Sequence, residues 1–320
     1  MISLTSQKNL SPIKRPESNP VLPYRGRFAP SPSGLLHFGS LISALASFLD
    51  TKAHIDANNN QGTWLIRIED IDPPREQPGA SAAILTSLEA FGLHWDEEVL
   101  YQSQQTELYR HLLDDLQQNN LSYYCQCSRA DVKALGGIYQ GHCRSLDKPQ
   151  SNSAIRLINR FGHYQFNDLI QNETLNKTQC DKALAEEDFI IHRKDGLFAY
   201  QLAVVHDDIF QGITHVIRGC DLLEPTARQL SLFSSLNKSP PIYGHVPLAV
   251  TSNGYKLSKQ NKAPAIDNDQ PQPALIAALE FLGQQPPPAL LQENVIDIIK
   301  WATDNWLRGN VPKLKEINIE

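Results

Sequence analysis

Hydrophobic and polar positions switch between two periods along most of the chain. Residues 24–30 (YRGRFAP) read as a short strand running into a loop that Pro30, Pro32 and Gly34 hold out of regular structure. Residues 39–50 (GSLISALASFLD) carry apolar side chains at helical spacing, with Ser40 placed to cap the start. The apolar run at 62–70 (GTWLIRIED) ends in acids and predicts a buried strand. Helices are predicted over about 80–91 and 105–118. This strand–loop–helix–strand alternation predicts an α/β fold with a doubly wound, parallel, Rossmann-type sheet.

Between about 122 and 185 the alternation gives way to loops and short strands such as AIRLIN, which reads as an insertion. It resumes at DFIIHRKDGLFAY and continues through THVIRGCDLLEPTARQLSLFSSL, a strand feeding a helix. PIYGHVPLAV is a further strand ending in a loop that carries Lys256, Leu257, Ser258 and Lys259. The remainder is Pro-rich and then helical at ALIAALEFL and NVIDIIKWATDNW. The organisation expected is a mobile tail over 1–22, a catalytic first half over 23–120 and an inserted subdomain over 121–188. A catalytic second half then spans 189–262, and a short helical C-terminal region spans 263–320.

Bulk properties narrow the class. With 41% hydrophobic and 20% charged residues, the 320-residue chain reads as an ordinary globular protein with a sizeable core. The longest apolar stretches, such as 41–49, are short and interrupted by Ser, which argues against a membrane span. No apolar run followed by a small-residue cleavage site stands near the start, so a cytoplasmic protein is expected; a monomer is expected beside it. A net charge of −6 argues against indiscriminate nucleic-acid binding, so any RNA contact needs a local basic region. Residues 121–160 supply one candidate, with Arg129, Lys133, Arg144, Lys148, Arg156 and Arg160 against Asp131 and Asp147. The plain alternative is a solvated charged face.

Five cysteines do not describe a disulfide scaffold, yet Cys125, Cys127 and Cys143 crowd one segment. Alternate cysteines make an awkward disulfide but an easy two-thiolate clamp for a metal. A fourth ligand is then needed, and Tyr139 and His142 are both at hand; coordination chemistry alone favours the imidazole. Cys180 and Cys220 have no such spacing and read as core or surface residues.

Two further constellations carry chemistry. RFAPSPSGLLHFGS, residues 27–40, places His37 ahead of a helix N-terminus, where backbone N–H groups favour a phosphate. KLSKQ, residues 256–260, offers two lysines that can neutralise phosphate charge as it builds. Each alone is ordinary. Together, His37-Phe38-Gly39-Ser40 and Lys256-Leu257-Ser258-Lys259-Gln260 resemble the two signatures of class I aminoacyl-tRNA synthetases. They depart from them at Ser40, where the family has His, and at Leu257 and Gln260.

RFAPSPSG and WLIRIEDIDPPRE resemble the glutamyl-tRNA synthetase branch in particular, and the likeness runs over residues 24–264. A short C-terminal region, the cysteine insert and KLSKQ are similar to the members that lack an anticodon-binding domain, the glutamyl-Q tRNA(Asp) synthetases. That resemblance implies activation of L-glutamate with ATP and Mg²⁺, independent of tRNA, and transfer to queuosine at the wobble position of tRNA(Asp).

The resemblance also implies residue roles. His37 and Lys259 would be catalytic, with Gly39, Ser40, Lys256 and Ser258 beside them on ATP. Arg27, Phe28, Ala29, Pro30, Ser31, Glu69, Tyr200 and Arg218 would form the glutamate pocket, with Glu69 on the ammonium and the arginines on the carboxylates. Cys125, Cys127, Tyr139 and Cys143 would hold one structural Zn²⁺, the family favouring Tyr139 over His142. Two alternatives stand beside this reading: a truncated glutamyl-tRNA synthetase that charges a tRNA 3′ end, and a non-catalytic tRNA-binding regulator.

Overall fold

A computed structural model describes residues 23–171, 178–251 and 264–319. The first 22 residues and the lysine segment with Lys256, Ser258 and Lys259 lie outside the described residues.

The chain opens with β1 (Arg25–Phe28), α1 (Phe38–Lys52), β2 (Thr63–Ile68), α2 (Ala80–Ala90), β3 (Leu100–Tyr101) and α3 (Thr106–Gln118). Strands β1, β2 and β3 pair in parallel in that order, with Arg27 opposite Leu65 and Arg67 opposite Leu100. Next come β4 (Ser122–Cys125), α4 (Arg129–Ala134), β5 (Ala154–Leu157), β6 (Gln165–Phe166), β7 (Thr178–Gln179), α5 (Lys182–Glu186) and β8 (Ile190–His192). Strands β4, β5 and β8 form a small antiparallel sheet, so the inserted region has its own framework. The IIH strand expected to resume the parallel pattern is thus the edge of this sheet. Its three-residue length and its bond partners on β5 set that placement.

The parallel pattern resumes with α6 (Tyr200–Phe210), β9 (His215–Gly219), α7 (Leu223–Ser235) and β10 (Ile242–Val246). Strands β9 and β10 pair in parallel, and β9 runs beside β1, where Thr214 N–H donates to Arg25 O at 3.0 Å. The single strand read at 241–250 is split at Pro247 into β10 and β11 (Leu248–Val250), because Pro offers no N–H to continue the ladder. Helices α8 (Pro271–Phe281) and α9 (Val295–Asp304) follow, and β12 (Glu316–Asn318) closes the chain in parallel pairing with β11.

Alternation along the strands explains the two faces of the parallel sheet. Phe28, Trp64, Ile66, Ile68, Ile217 and Val246 point to one side, into a core shared with α1, α8 and α9. On those same strands Arg27, Arg67, Arg218 and His245 sit at the intervening positions and are buried on the other side, where α6 and α7 lie. Polar residues in otherwise apolar strands therefore collect on one face at the carboxyl ends, where open α/β sheets bind ligands.

Helix α1 approaches the sheet closely because its last turn is pinched between two glycines. A Cβ on Gly62 would lie 2.3 Å from the backbone oxygen of Thr51, and one on Gly26 would lie 2.1 Å from its side-chain oxygen. Backbone cannot move aside as a side chain can. Gly62→Ala should therefore cost about 1–3 kcal/mol of stability by overpacking. A urea unfolding midpoint equal to that of the unmodified protein would contradict this.

Candidate functional site

The site is built where β1, β2 and β9 end and where α1 and α6 begin. His37 is the N-cap of α1, with an extended backbone at φ −120° and ψ 171°. Its Nδ1 accepts the Ser40 N–H at 3.3 Å, which leaves the proton on Nε2, 3.0 Å from Ser40 Oγ. The expected cap at Ser40 is thus replaced. Ser40 is already the third helical residue, so its N–H needs a cap, and the imidazole one turn earlier provides it. An Nε2–H beside the N-terminus of a fifteen-residue helix is suited to donate to an anion.

The described residues on either side of the lysine segment come to the same end of the sheet. Val250 ends β11, and Ala265 forms an antiparallel bridge with His37 while Ile266 N–H donates to Leu36 O at 3.0 Å.

Beside the phosphate-favouring end lies a buried cluster of alternating charge. Arg27 contacts Asp208 at 3.3 and 3.5 Å, and Arg67 donates to the same carboxylate at 2.7 Å. Arg67 Nε lies 3.9 Å from both Glu69 and Asp207 and makes no hydrogen bond there. Glu69 follows β2 directly, and its N–H donates to Pro30 O at 3.0 Å, tying the two loops together. Burial pushes the Glu69 carboxyl up to about 7, against the pull of Arg67 and Arg27. Tyr200 begins α6 and is half-buried; burial and then Glu69 raise its phenol above the ordinary range, while Arg218 and Arg27 oppose the rise.

Arg218 is held on one side only. Its Nη2 donates to Thr226 Oγ1 at 2.7 Å, Gln229 Oε1 at 2.8 Å and Leu222 O at 3.2 Å, and its Nε donates to His245 Nε2 at 3.1 Å. Its Nη1 is buried without a partner, as is the hydroxyl of Tyr243, over whose ring the guanidinium lies at 4.8 Å. Buried donors left without partners are rare in finished interiors, and here they belong to a cation that suits a carboxylate.

The remaining predicted pocket residues divide. Phe28 turns its ring into the core with α1, so only its backbone faces the opposite side. Ala29 and Pro30 are partly buried, and Ser31 is exposed. Sequence reasoning passed over Arg67, Asp207, Asp208, Asp168 and His245. The pair of acids inside the apolar helix stretch AVVHDDIF, and the arginine inside WLIRIE, were the visible signals: each is a charge in a run that must be buried.

In the inserted region the Sγ atoms of Cys125, Cys127 and Cys143 lie within 4.8 Å of one another, close enough to hold a metal ion. Tyr139 is fully buried with its hydroxyl 3.4 Å from Cys125 Sγ, whereas His142 is exposed. Arg156, read as part of a basic surface, is instead buried: its Nε donates to Cys125 Sγ at 3.2 Å and its guanidinium lies 3.7 Å from the Tyr139 ring centre. Arg144 likewise turns to the buried Asp188, with two bonds of 2.6 Å. Arg156 is drawn inward because the sulfur inside the subdomain needs a cation, whereas Arg144 stays exposed and reaches in to the Asp188 carboxylate. Arg129 and Lys133 remain exposed. Cys180 and Cys220 are buried.

Comparison with known proteins places this geometry. The family described as "tRNA synthetases class I (E and Q), catalytic domain" matches residues 24–302. In three dimensions the chain is similar to a glutamate–tRNA synthetase from Elizabethkingia anophelis, with a TM-score of 0.73 at 23% identity over 93% of this chain and 68% of that one. That likeness bears on the fold alone. The chain belongs to the class I tRNA synthetases of the E and Q type, an α/β ligase class. Within that class its family is that of the glutamyl-Q tRNA(Asp) synthetases. A protein of that name from Colwellia psychrerythraea is 66% identical over 96% of this chain and 98% of its own length. One from Citrobacter koseri is 51% identical over 92% of this chain and 96% of its own. Among the described residues no helix is long and apolar enough to cross a membrane.

The Glu69 carboxyl generates a pH prediction. If it meets the substrate ammonium, it must be ionised, and its pKa is raised to about 7. Glutamate affinity should then increase as pH rises from 6 to 8, through that value. Glu69→Gln should weaken binding and flatten the profile. Isothermal titration with glutamate across this range checks it, and a pH-independent affinity in the unmodified protein would contradict the assignment.

Proposed function

We propose that this chain activates L-glutamate with ATP as glutamyl-adenylate, without tRNA, and transfers the glutamate to queuosine at the wobble position of tRNA(Asp). The observation that carries the reading is Arg218, whose buried Nη1 has no partner and which lies among Glu69, Tyr200 and Arg27. A zwitterion with two carboxylates and one ammonium needs such a pocket of mixed sign. Glu69 takes the ammonium, and Arg218 and Arg27 take the carboxylates, with a hydroxyl from Tyr200. The relatives' names and the family match support the same substrate and acceptor.

In the activation step the glutamate α-carboxylate attacks the α-phosphorus of ATP, and pyrophosphate leaves with Mg²⁺. Negative charge gathers at phosphorus, so catalysis is mostly positioning and electrostatics. The imidazole of His37, the N–H group of Gly39 and the positive end of α1 support that role. Lys256, Ser258 and Lys259 complete the ATP site in this reading, with Lys259 acting as phosphate charge peaks. In transfer, a hydroxyl of the queuosine ring attacks the activated carbonyl and AMP leaves, forming an ester.

Zn²⁺ is proposed as a structural ion on Cys125, Cys127, Cys143 and Tyr139. Tetrahedral zinc–thiolate bonds of about 2.3 Å set sulfurs roughly 3.8 Å apart, compatible with the observed cluster. Arg156 would offset the excess negative charge of three thiolates. A cytoplasmic monomer fits the reading.

Two experiments test it. Glutamate-dependent ATP–pyrophosphate exchange should proceed with protein alone, and exchange that waits for tRNA would favour an ordinary glutamyl synthetase. Labelled glutamate should then attach to tRNA(Asp) that carries queuosine and not to tRNA(Asp) without it; equal labelling would rule the acceptor out. For the metal, elemental analysis should find about one zinc per chain, and Cys127→Ser should lose it and melt at lower temperature. A metal-free protein unaffected by that change would refute the zinc assignment.

A further inference from the structure

Arg218 is aimed by two residues that touch no substrate in the reading above. It is the register partner of His245 across β9 and β10, and both side chains are buried. His245 Nδ1 lies 2.5 Å from Asp168 Oδ2, and a carboxylate at that distance accepts, so Nδ1 carries the proton. Nε2 is thereby left with a lone pair, and it accepts the Arg218 Nε–H at 3.1 Å. Thr226 Oγ1 stands 3.2 Å from the same nitrogen and sends its proton to Leu222 O at 2.8 Å. Burial and Arg218 keep the imidazole from taking a second proton, and Asp168 is held ionised below the ordinary carboxylate range by its bonds.

Asp168 is equally constrained. Its Oδ1 accepts three backbone N–H groups, from Ile170 at 2.9 Å, Gln171 at 2.8 Å and His245 at 3.1 Å. That fixes which oxygen faces the imidazole. Asp168 comes from the segment between β6 and β7 and forms a parallel bridge with Tyr243, so this segment lines the edge of the parallel sheet beside β10 and its carboxylate reaches His245.

We propose that Asp168 and His245 are positioning residues for the glutamate carboxylate. The acid fixes the imidazole tautomer, the imidazole fixes Nε of Arg218, and Nη1 is left presented to the substrate. The proposal rests on the reading of Arg218 as a substrate contact. It also bears on specificity. With the His245 lone pair committed to Arg218, the histidine offers no acceptor here and Arg218 Nη1 presents a charged donor, which suits a carboxylate over the amide N–H of glutamine.

Asp168→Asn is the discriminating change because it is nearly isosteric. The three N–H groups hold the amide oxygen at the Oδ1 position, so the amide NH₂ faces Nδ1. Nδ1 must then accept, the proton moves to Nε2, and an N–H meets the Arg218 Nε–H. His245→Leu removes the acceptor outright, whereas His245→Gln keeps one acceptor and one donor on adjacent positions.

The measurement is ATP–pyrophosphate exchange by the full chain, with KM determined separately for glutamate and ATP. Asp168→Asn and His245→Leu should each raise KM for glutamate about tenfold or more, from the loss of a buried charge-assisted bond, with KM for ATP unchanged. His245→Gln should stay close to the unmodified protein, and Arg218→Ala should lose glutamate activation. If Arg218→Ala acts as expected while Asp168→Asn and His245→Leu leave KM for glutamate alone, the positioning role is overturned. A parallel rise in both KM values with a lower melting temperature also overturns it, as a general structural effect. If Arg218→Ala changes nothing, the substrate reading itself fails, and the positioning role with it.

Discussion

A guanidinium with no access to solvent is the constraint around which this molecule is arranged. Arg67 is completely buried, and isolating such a charge would cost several kcal/mol after relaxation. It is tolerated because Asp208 accepts from it at 2.7 Å, Gln211 at 2.8 Å, and Glu69 and Asp207 stand 3.9 Å away. These partners come from α6 and from the end of β2, so satisfying one charge fixes a helix against a sheet. That fixed helix begins at Tyr200, and the fixed strand end carries Glu69. Asp207 is further held by Gln102 at 2.7 Å and Tyr109 at 2.8 Å, which extends the same network to the start of α3. Truncating Asp208 would leave Arg27 and Arg67 facing each other without their shared counter-ion.

The inserted region repeats the device on a smaller scale. Asp188 is buried, and its carboxylate gathers Arg144, the Tyr123 hydroxyl at 2.7 Å and the Asn159 N–H at 2.8 Å. Arg156 donates to the Asp188 carbonyl at 2.7 Å and so reaches Cys125 in a fixed orientation. The cysteine cluster is thus seated by a cation whose position is set independently of any metal. Charges that look like a nucleic-acid surface in the sequence are here partly the internal fastening of the subdomain.

Much of the fold was legible because its signals are local. Helices α1, α3 and α9 follow from apolar spacing, and β2 and β9 from short apolar runs bounded by acids or Gly. The errors arose where pairing over distance decides. Nothing near IIH reveals that its neighbour is β5, and Ser40 looks like a cap until the backbone of His37 is known to be extended. At the site, motifs made His37, Glu69 and Arg218 legible as candidates. The residues that hold those groups were not, because an acid such as Asp168 has meaning only through His245, 77 positions away.

The closing segment has a consequence for how the chain acquires its structure. Asp50, in α1, is buried and accepts bonds from the Tyr24 hydroxyl, from Trp306 Nε1 at 3.0 Å and from Arg308 at 2.7 and 2.9 Å. The last three bonds join residues 256 and 258 positions apart. During synthesis, the first strand and helix leave the ribosome long before the groups that neutralise Asp50 exist. That carboxylate has no cationic partner until Arg308 is made, so closing the amino-terminal half before then would bury an unneutralised charge. Folding of the parallel sheet is therefore coupled to the arrival of Trp306 and Arg308, and a nascent chain stalled before Trp306 should be held by chaperones rather than close into its native form.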